Sequence, residues 1–298
     1  MNKGILYILV SVLCFFVVNF FVKILGSDSG FLNTPNNFPA HELVFFRSLI
    51  SFSLTVYLLK KKGIPILGFN RKWLLIRGFS GMIALTLFFY TIHNLPIAIA
   101  STIQYLAPIF TVILAVFIMK EKVLKLQWIF ILLSFLGAGL IGFSSLIESN
   151  EAKSISIFWV LLGIVSAFFS GIAYVSILKL KETEKPLNIV LYFPMIALPI
   201  MGIWCLFDFV IPKGIEWLYL FLIGVFTQFA QILLTKAFHE GNANSISPFQ
   251  YLGSIYALIL GFFVFDEIIS FLSYLGISLI LIGVISNVFI RARFKKSS

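Results

Sequence analysis

Charge is what this sequence lacks most: 11% of its 298 residues are charged, while 60% are hydrophobic. Soluble domains carry roughly 25% charged residues, so a water-soluble globular protein is excluded. Acids are scarcer than bases, with 12 Asp plus Glu against 22 Lys plus Arg. The chain also lacks a GxxxxGKS/T phosphate loop and a Rossmann glycine fingerprint, which excludes an ATP-driven pump encoded within it. Cysteine is reduced to Cys14 and Cys205, both inside apolar runs and without CxxC spacing. They read as small buried hydrophobes, and neither a metal site nor any cofactor is expected. No connection is long enough to house a soluble domain, the longest being the Gly, Asn and Pro-rich stretch from Gly26 to Ala40.

What is present is a succession of long apolar runs. A bilayer core of about 30 Å takes about 20 apolar residues per helix. The runs predict ten spans: 4–25, 41–59, 73–92, 96–118, 126–147, 157–178, 187–210, 217–238, 244–265 and 269–290. Lys3 precedes the first run as in a secretory signal, but no small-residue cleavage site follows, so it reads as an uncleaved first helix. The formal net charge of +10 does not indicate nucleic acid, because the basic residues are scattered between spans. They mark topology instead, since short cytoplasmic loops hold the excess of Lys and Arg. With the N-terminus inside, 16 of the 22 fall on the cytoplasmic side, from Lys3 through Lys60, Lys61 and Lys62 to Lys296. An even number of spans with both termini cytoplasmic follows.

Sliding the sequence against itself by 146 residues places 78–137 on 224–283 without a gap, and 17 of the 60 aligned positions are identical. The identities include His93 with His239, Ser101 with Ser247, Gln104 with Gln250, Tyr105 with Tyr251, and Glu121 with Glu267. Ser11 and Ser166 align the first helix of each half at an offset about nine residues larger. The expected organisation is therefore two five-helix units, 1–150 and 151–298. Because five is odd, the second unit enters the membrane inverted, a signature of secondary transporters.

The residues also resemble a known family. HELVFFR with Arg47, the Arg77–Gly78 pair, FFYTIHNLPIAIAST, APIFTVILAVFIMKEK around Glu121, FLGAGLIG, and KAFHEGNANSISPFQYLGSIYALILGFFVFDE to Glu267 follow the order seen in ten-helix EamA-type members of the drug/metabolite transporter superfamily. The resemblance covers nearly the whole chain and implies a multi-pass carrier in a bacterial-type inner membrane. It implies a cargo such as an amino acid, related metabolite or cofactor, S-adenosylmethionine being one carried by some members. It also implies a cavity formed by the first, third, fourth, sixth, eighth and ninth spans. One departure stands out: Pro108 in the fourth span faces Ser254 in the repeat, with Pro248 displaced earlier.

Polar side chains inside spans are costly and usually face the bundle interior. Ser101, Gln104, Tyr105 and Pro108 share one helix face, and Ser247, Gln250 and Tyr251 share the matching face of the ninth span. Gln104 and Gln250 fall near the bilayer midplane from opposite sides, so these faces are the expected substrate site. Interhelical packing by the same groups is the structural alternative. Asn19, Tyr90, Tyr174, Gln228 and Gln231 are further candidates. Arg47 sits well inside the second span, with Glu42 or Glu121 as possible partners; facing a cavity, it would favour a carboxylate-bearing, amino-acid-like cargo. Arg77 and Lys236 read as snorkelling or structurally paired cations, and Trp73, Trp128, Trp159 and Trp217 as interfacial anchors. Glu121 and Glu267 read as structural or gating groups, and His93 and His239 as helix ends.

The expectation is a secondary carrier of a small polar metabolite working by alternating access, with the lipid bilayer and a small molecule as its partners. The alternatives are an integral-membrane enzyme, for which only His93 with Glu42 and Asn94 comes near a catalytic cluster, or a non-transporting membrane protein. Nothing in the sequence indicates oligomeric state.

Overall fold

The computed structural model describes residues 3–26, 36–119, 125–147, 156–240, 252–267 and 269–294. Among them, all regular structure is helical. The helices are α1 (Lys3–Gly26), α2 (Ala40–Lys61), α3 (Arg71–Asn94), α4 (Ile97–Gln104), α5 (Ala107–Met119), α6 (Lys125–Ile147), α7 (Ile157–Leu180), α8 (Pro186–Cys205), α9 (Glu216–Glu240), α10 (Leu252–Val264) and α11 (Phe271–Phe294). Seven stretches are long and apolar enough to cross a membrane: α1, α2, α3, Ile97–Ile118, α7, α8 and α9. Trp128–Ile141 in α6 and Phe271–Gly283 in α11 add shorter apolar stretches. The eighth helix by label stops at Cys205 rather than 210, where the chain turns through Leu206 and Phe207.

Proline punctuates this fold. Pro39 and Pro96 sit at the N-caps of α2 and α4, and Pro186 opens α8, where a missing N–H costs nothing. The expected single span 96–118 is broken. Pro108, the second residue of α5, has no N–H to give the Gln104 carbonyl, and its ring crowds that carbonyl. The chain answers with two tight i to i+3 bonds, Tyr105 N–H to Thr102 O and Leu106 N–H to Ile103 O, both 3.0 Å. The break therefore falls at Tyr105–Leu106.

Outward faces are apolar, with Phe117, Leu136, Phe221 and Phe262 all more than half exposed. In water such faces would be an aggregation surface; in lipid they are at home. Polar groups point inward, the reverse of a soluble protein. The main helix pairings are α3 with α7, α1 with α9, α2 with α8, and α6 with α11.

Close approach sets these pairings. A β-carbon on Gly137 would lie 2.6 Å from the Gly276 carbonyl oxygen, and one on Gly283 would lie 2.6 Å from that of Phe130. Serines then bond across: Ser11 Oγ donates to Ala230 O at 2.8 Å, and Ser166 Oγ to Ala84 O at 2.7 Å. Without water, such inter-helix bonds and close backbone packing hold membrane helices together.

Candidate functional site

Where these helices cross, they enclose a cavity of about 170 Å³. That is room for roughly a dozen waters, at 10 to 15 Å³ each on this measure. Its wall is drawn from α1, α2, α3, α4, α7, α8, α9 and α10, so α2 and α8 join the helices that the family resemblance implies. Of the residues singled out in the sequence, Asn19, Arg47, Ser101, Gln104, Tyr105, Tyr174 and Gln231 line it. Ser247, Gln250 and Tyr251 lie outside the described residues.

Two residues are placed elsewhere. Tyr90 leaves the cavity, its hydroxyl 3.3 Å from His41 Nδ1, while His41 stacks on Trp204 with centroids 5.1 Å apart. Gln228 is consumed by α2: the Ser51 hydroxyl donates to its carbonyl, and its amide donates to Thr55 Oγ1 at 2.7 Å. Both amide ends satisfied between two buried helices is a packing role.

Gln104 combines two tasks. It borders the cavity, yet its amide donates to Ser170 Oγ at 2.7 Å, and its carbonyl accepts from Ser166 Oγ at 3.0 Å. It thereby fastens the broken end of α4 to α7. Next to it, the Tyr105 side chain lies over Gly253 of α10, where a β-carbon would collide with its hydroxyl.

Cations dominate the electrostatics. Arg47 is 1% exposed and Arg77 4% exposed, and both face the cavity. Arg77 does not snorkel: its Nη2 donates to Gln231 Oε1 at 3.2 Å, at the cavity wall. It reaches there because Gly81, one turn on, lacks a β-carbon that would collide with its guanidinium. Arg47 lies over the Phe193 ring at 4.7 Å and near Phe89 at 6.0 Å. Glu42 is not its partner; that carboxylate accepts the Val210 N–H at 2.9 Å instead. Glu121 lies outside the described residues. Among the described residues, the Nε atoms of both arginines have no hydrogen-bond partner, and neither guanidinium has a carboxylate within ion-pair distance. No acidic residue is found among the described residues that line the cavity.

Magnitudes show the consequence. Burying an ion costs several kcal/mol even after relaxation, and a desolvated cation–π contact returns about 2 kcal/mol. Deprotonation offers no relief, since arginine is effectively always charged. The cavity therefore holds two positive charges whose desolvation its own wall does not offset.

Sequence reasoning did not single out Ser11, Ser170 or the phenylalanines at 15, 16, 88, 89 and 193, which also line the cavity. Serines at one-turn spacing (Ser166 and Ser170) were a readable signal; phenylalanine in a chain with 35 of them was not.

At one end, α4 is anchored. The Glu267 carboxylate accepts the Ile97 N–H at 2.7 and 2.9 Å and pairs with Lys23 at 3.3 Å. Lys23 also donates to Ile92 O and Leu95 O at 3.0 and 2.7 Å. Glu267 is thus a helix cap and ion-pair partner at the end of α4.

A helical membrane chain that encloses a largely apolar cavity faced by two arginines at its helix crossings has the build of a multi-pass membrane transporter. The chain belongs to the EamA-like transporter family, which matches residues 2–143 and 157–289. It is 29% identical to the pseudopaline exporter CntI of Pseudomonas aeruginosa over 96% of each chain. It is 25% identical to an S-adenosylmethionine uptake transporter of Rickettsia prowazekii, over 76% of this chain and 75% of that one. It is also 25% identical to a riboflavin transporter of Vibrio cholerae, over 95% and 91%. A solved crystal structure shares the fold, with a TM-score of 0.68 and 15% identity over 98% of this chain and 99% of the other.

Proposed function

We propose that the protein is a secondary carrier of the bacterial inner membrane that moves a small, polar, carboxylate-bearing and amino-acid-like metabolite by alternating access. The observation that carries this reading is the central cavity with its two acid-free arginines. The reading has ten spans in two inverted halves, 1–150 and 151–298, with both termini cytoplasmic.

The contacts support an inverted pair of halves. Gly78 packs on Ile196, and Gly224 packs on Ile50; both members of the second pair are the first pair's partners shifted by 146. The Gly137–Gly276 approach has the Gly283–Phe130 approach as its counterpart by the same shift. The Ser11–Ala230 and Ser166–Ala84 bonds correspond in the same way, with the larger offset for the first helices. Two contacting pairs are themselves 146 apart: Arg47 over Phe193, and Ser134 Oγ to Ile280 O at 3.4 Å. Such self-paired contacts are what a two-fold axis through the α2–α8 and α6–α11 crossings requires. Halves that rock about it expose a central cavity to each side in turn.

The relatives carry chemically different cargoes in both directions, so their names do not select one here. Ser247, Gln250 and Tyr251 stay in this reading as cargo-facing candidates on the repeat relation alone.

The test is counterflow in proteoliposomes across amino acids, nucleosides and methylated cofactors. At least one carboxylate-bearing solute should exchange, and Gln104→Ala should slow that exchange roughly tenfold, since losing a buried hydrogen-bond pair costs about 1 to 2 kcal/mol. Exchange of no solute by the folded protein, or normal flux in the variant, would contradict the reading.

A further inference from the structure

We propose that the cargo carries two carboxylates, one held by Arg47 and the other by Arg77. This rests on the carrier reading for its biology, but the site argument stands on the cavity itself.

Both guanidiniums are buried and face one cavity. Among the described residues no carboxylate lines the cavity or lies within ion-pair distance of either guanidinium. The two cations are mounted on different helices. Arg47 comes from α2 and lies over the Phe193 ring of α8; Arg77 comes from α3 and is steered over Gly81 to Gln231 of α9. Separate mounting gives two points of attachment rather than one clamp, and a planar guanidinium fork matches a carboxylate edge to edge. A free helix N-terminus would favour a phosphate; at the α4 end of the cavity the Ile97 N–H is engaged by Glu267.

The spacer between the carboxylates meets a different wall. Phe15, Phe16, Phe88 and Phe89 line the same space, so an apolar or lightly substituted carbon chain suits the middle of the cargo. The polar side chains of Asn19 and Ser101 line the same space. Two carboxylates on the cargo would match the two guanidinium charges one for one.

The arginines also break the internal symmetry. The residue 146 positions from Arg47 is Phe193, and that from Arg77 is Ile223. Both charges therefore come from the first half, and Arg47 sits at the α2–α8 crossing where the halves meet.

The experiment compares glutarate and adipate with their monoamides, each pair differing by one charge. Each is tested as a competitor of counterflow and as a thermal stabiliser of the purified protein, with inorganic phosphate as control. In the wild-type protein at least one dicarboxylate should outcompete its monoamide by about tenfold to a hundredfold, the worth of one charged hydrogen-bonding group. Arg47→Gln and Arg77→Gln should each erase that gap. Gly81→Ala, which keeps both charges but displaces the Arg77 guanidinium, should narrow it; this variant serves if the arginine substitutions fold poorly. Equal competition by diacid and monoamide at both spacer lengths would overturn the proposal. So would stronger binding of phosphate, or an unchanged gap in Arg77→Gln. If dicarboxylates stabilise the protein yet nothing exchanges, the carrier reading fails and the site survives. If a neutral or zwitterionic solute exchanges without competition from dicarboxylates, the carrier survives and the site assignment fails.

Discussion

Arg47→Gln is expected to lower solute exchange by roughly 30-fold to more than a thousandfold, because truncating one side of a desolvated charge pair costs about 2 to 5 kcal/mol. The same change should leave thermal stability of the unloaded protein equal or raised by a few degrees. Among the described residues the buried Arg47 guanidinium has ring contacts to Phe193 and Phe89 and no carboxylate partner, and removing a poorly compensated charge relieves its desolvation cost. Function and stability thus move in opposite directions, as they do where a site is strained for activity. An arginine serving as structural glue predicts the reverse, a lower melting temperature with exchange retained. Thermal unfolding in detergent, run beside counterflow on the same preparation, separates the two.

Gly137→Leu is expected to have the largest effect on stability. The neighbour of a β-carbon there is the Gly276 carbonyl oxygen at 2.6 Å, with the Ile280 N–H at 2.9 Å. Backbone, unlike a side chain, has no alternative rotamer to adopt. The α6–α11 pair must separate, at a cost above the 1 to 3 kcal/mol typical of overpacked cores. Gly276→Leu should act the same way from the opposite helix. Because the two substitutions destroy one contact, the double variant should be less unstable than the sum of the singles. Size-exclusion profiles and melting temperatures check this, and wild-type stability in Gly137→Leu would contradict the packing described.

The sequence reading reached the architecture through physics that is local or periodic. Lipid requires long apolar helices, so α1, α2, α3, α7, α8 and α9 were visible as runs. Contacts such as Gly78–Ile196 and Gly224–Ile50, related by the same shift of 146 residues, support the proposed repeat. The break after Gln104 was legible in principle, because Pro108 removes the N–H that Gln104 needs; apolar periodicity alone ran straight through it. Gln228 and Tyr90 show where such reasoning stops. An intramembrane polar residue is expected to face inward, but inward includes both cavity and helix contact. Only the positions of Ser51, Thr55 and His41 decide between them. For Arg77 the sequence left snorkelling and structural pairing both open, and the structure shows pairing. Seen as sequence it lies near a helix start, where a long side chain can reach water. The missing β-carbon at Gly81 lets it lie along α3 and point to Gln231 instead.

A single cavity that meets each side of the membrane in turn is the core of this account. Asn19 lines that cavity from α1, and the two native cysteines, Cys14 and Cys205, are easily replaced. With Asn19→Cys in a background of Cys14→Ser and Cys205→Ser, a membrane-impermeant thiol reagent is applied to right-side-out and to inside-out vesicles. Labelling from both faces, slowed in each case by glutarate or adipate, is the result expected of alternating access. Labelling from one face alone, whatever solute is present, would contradict it.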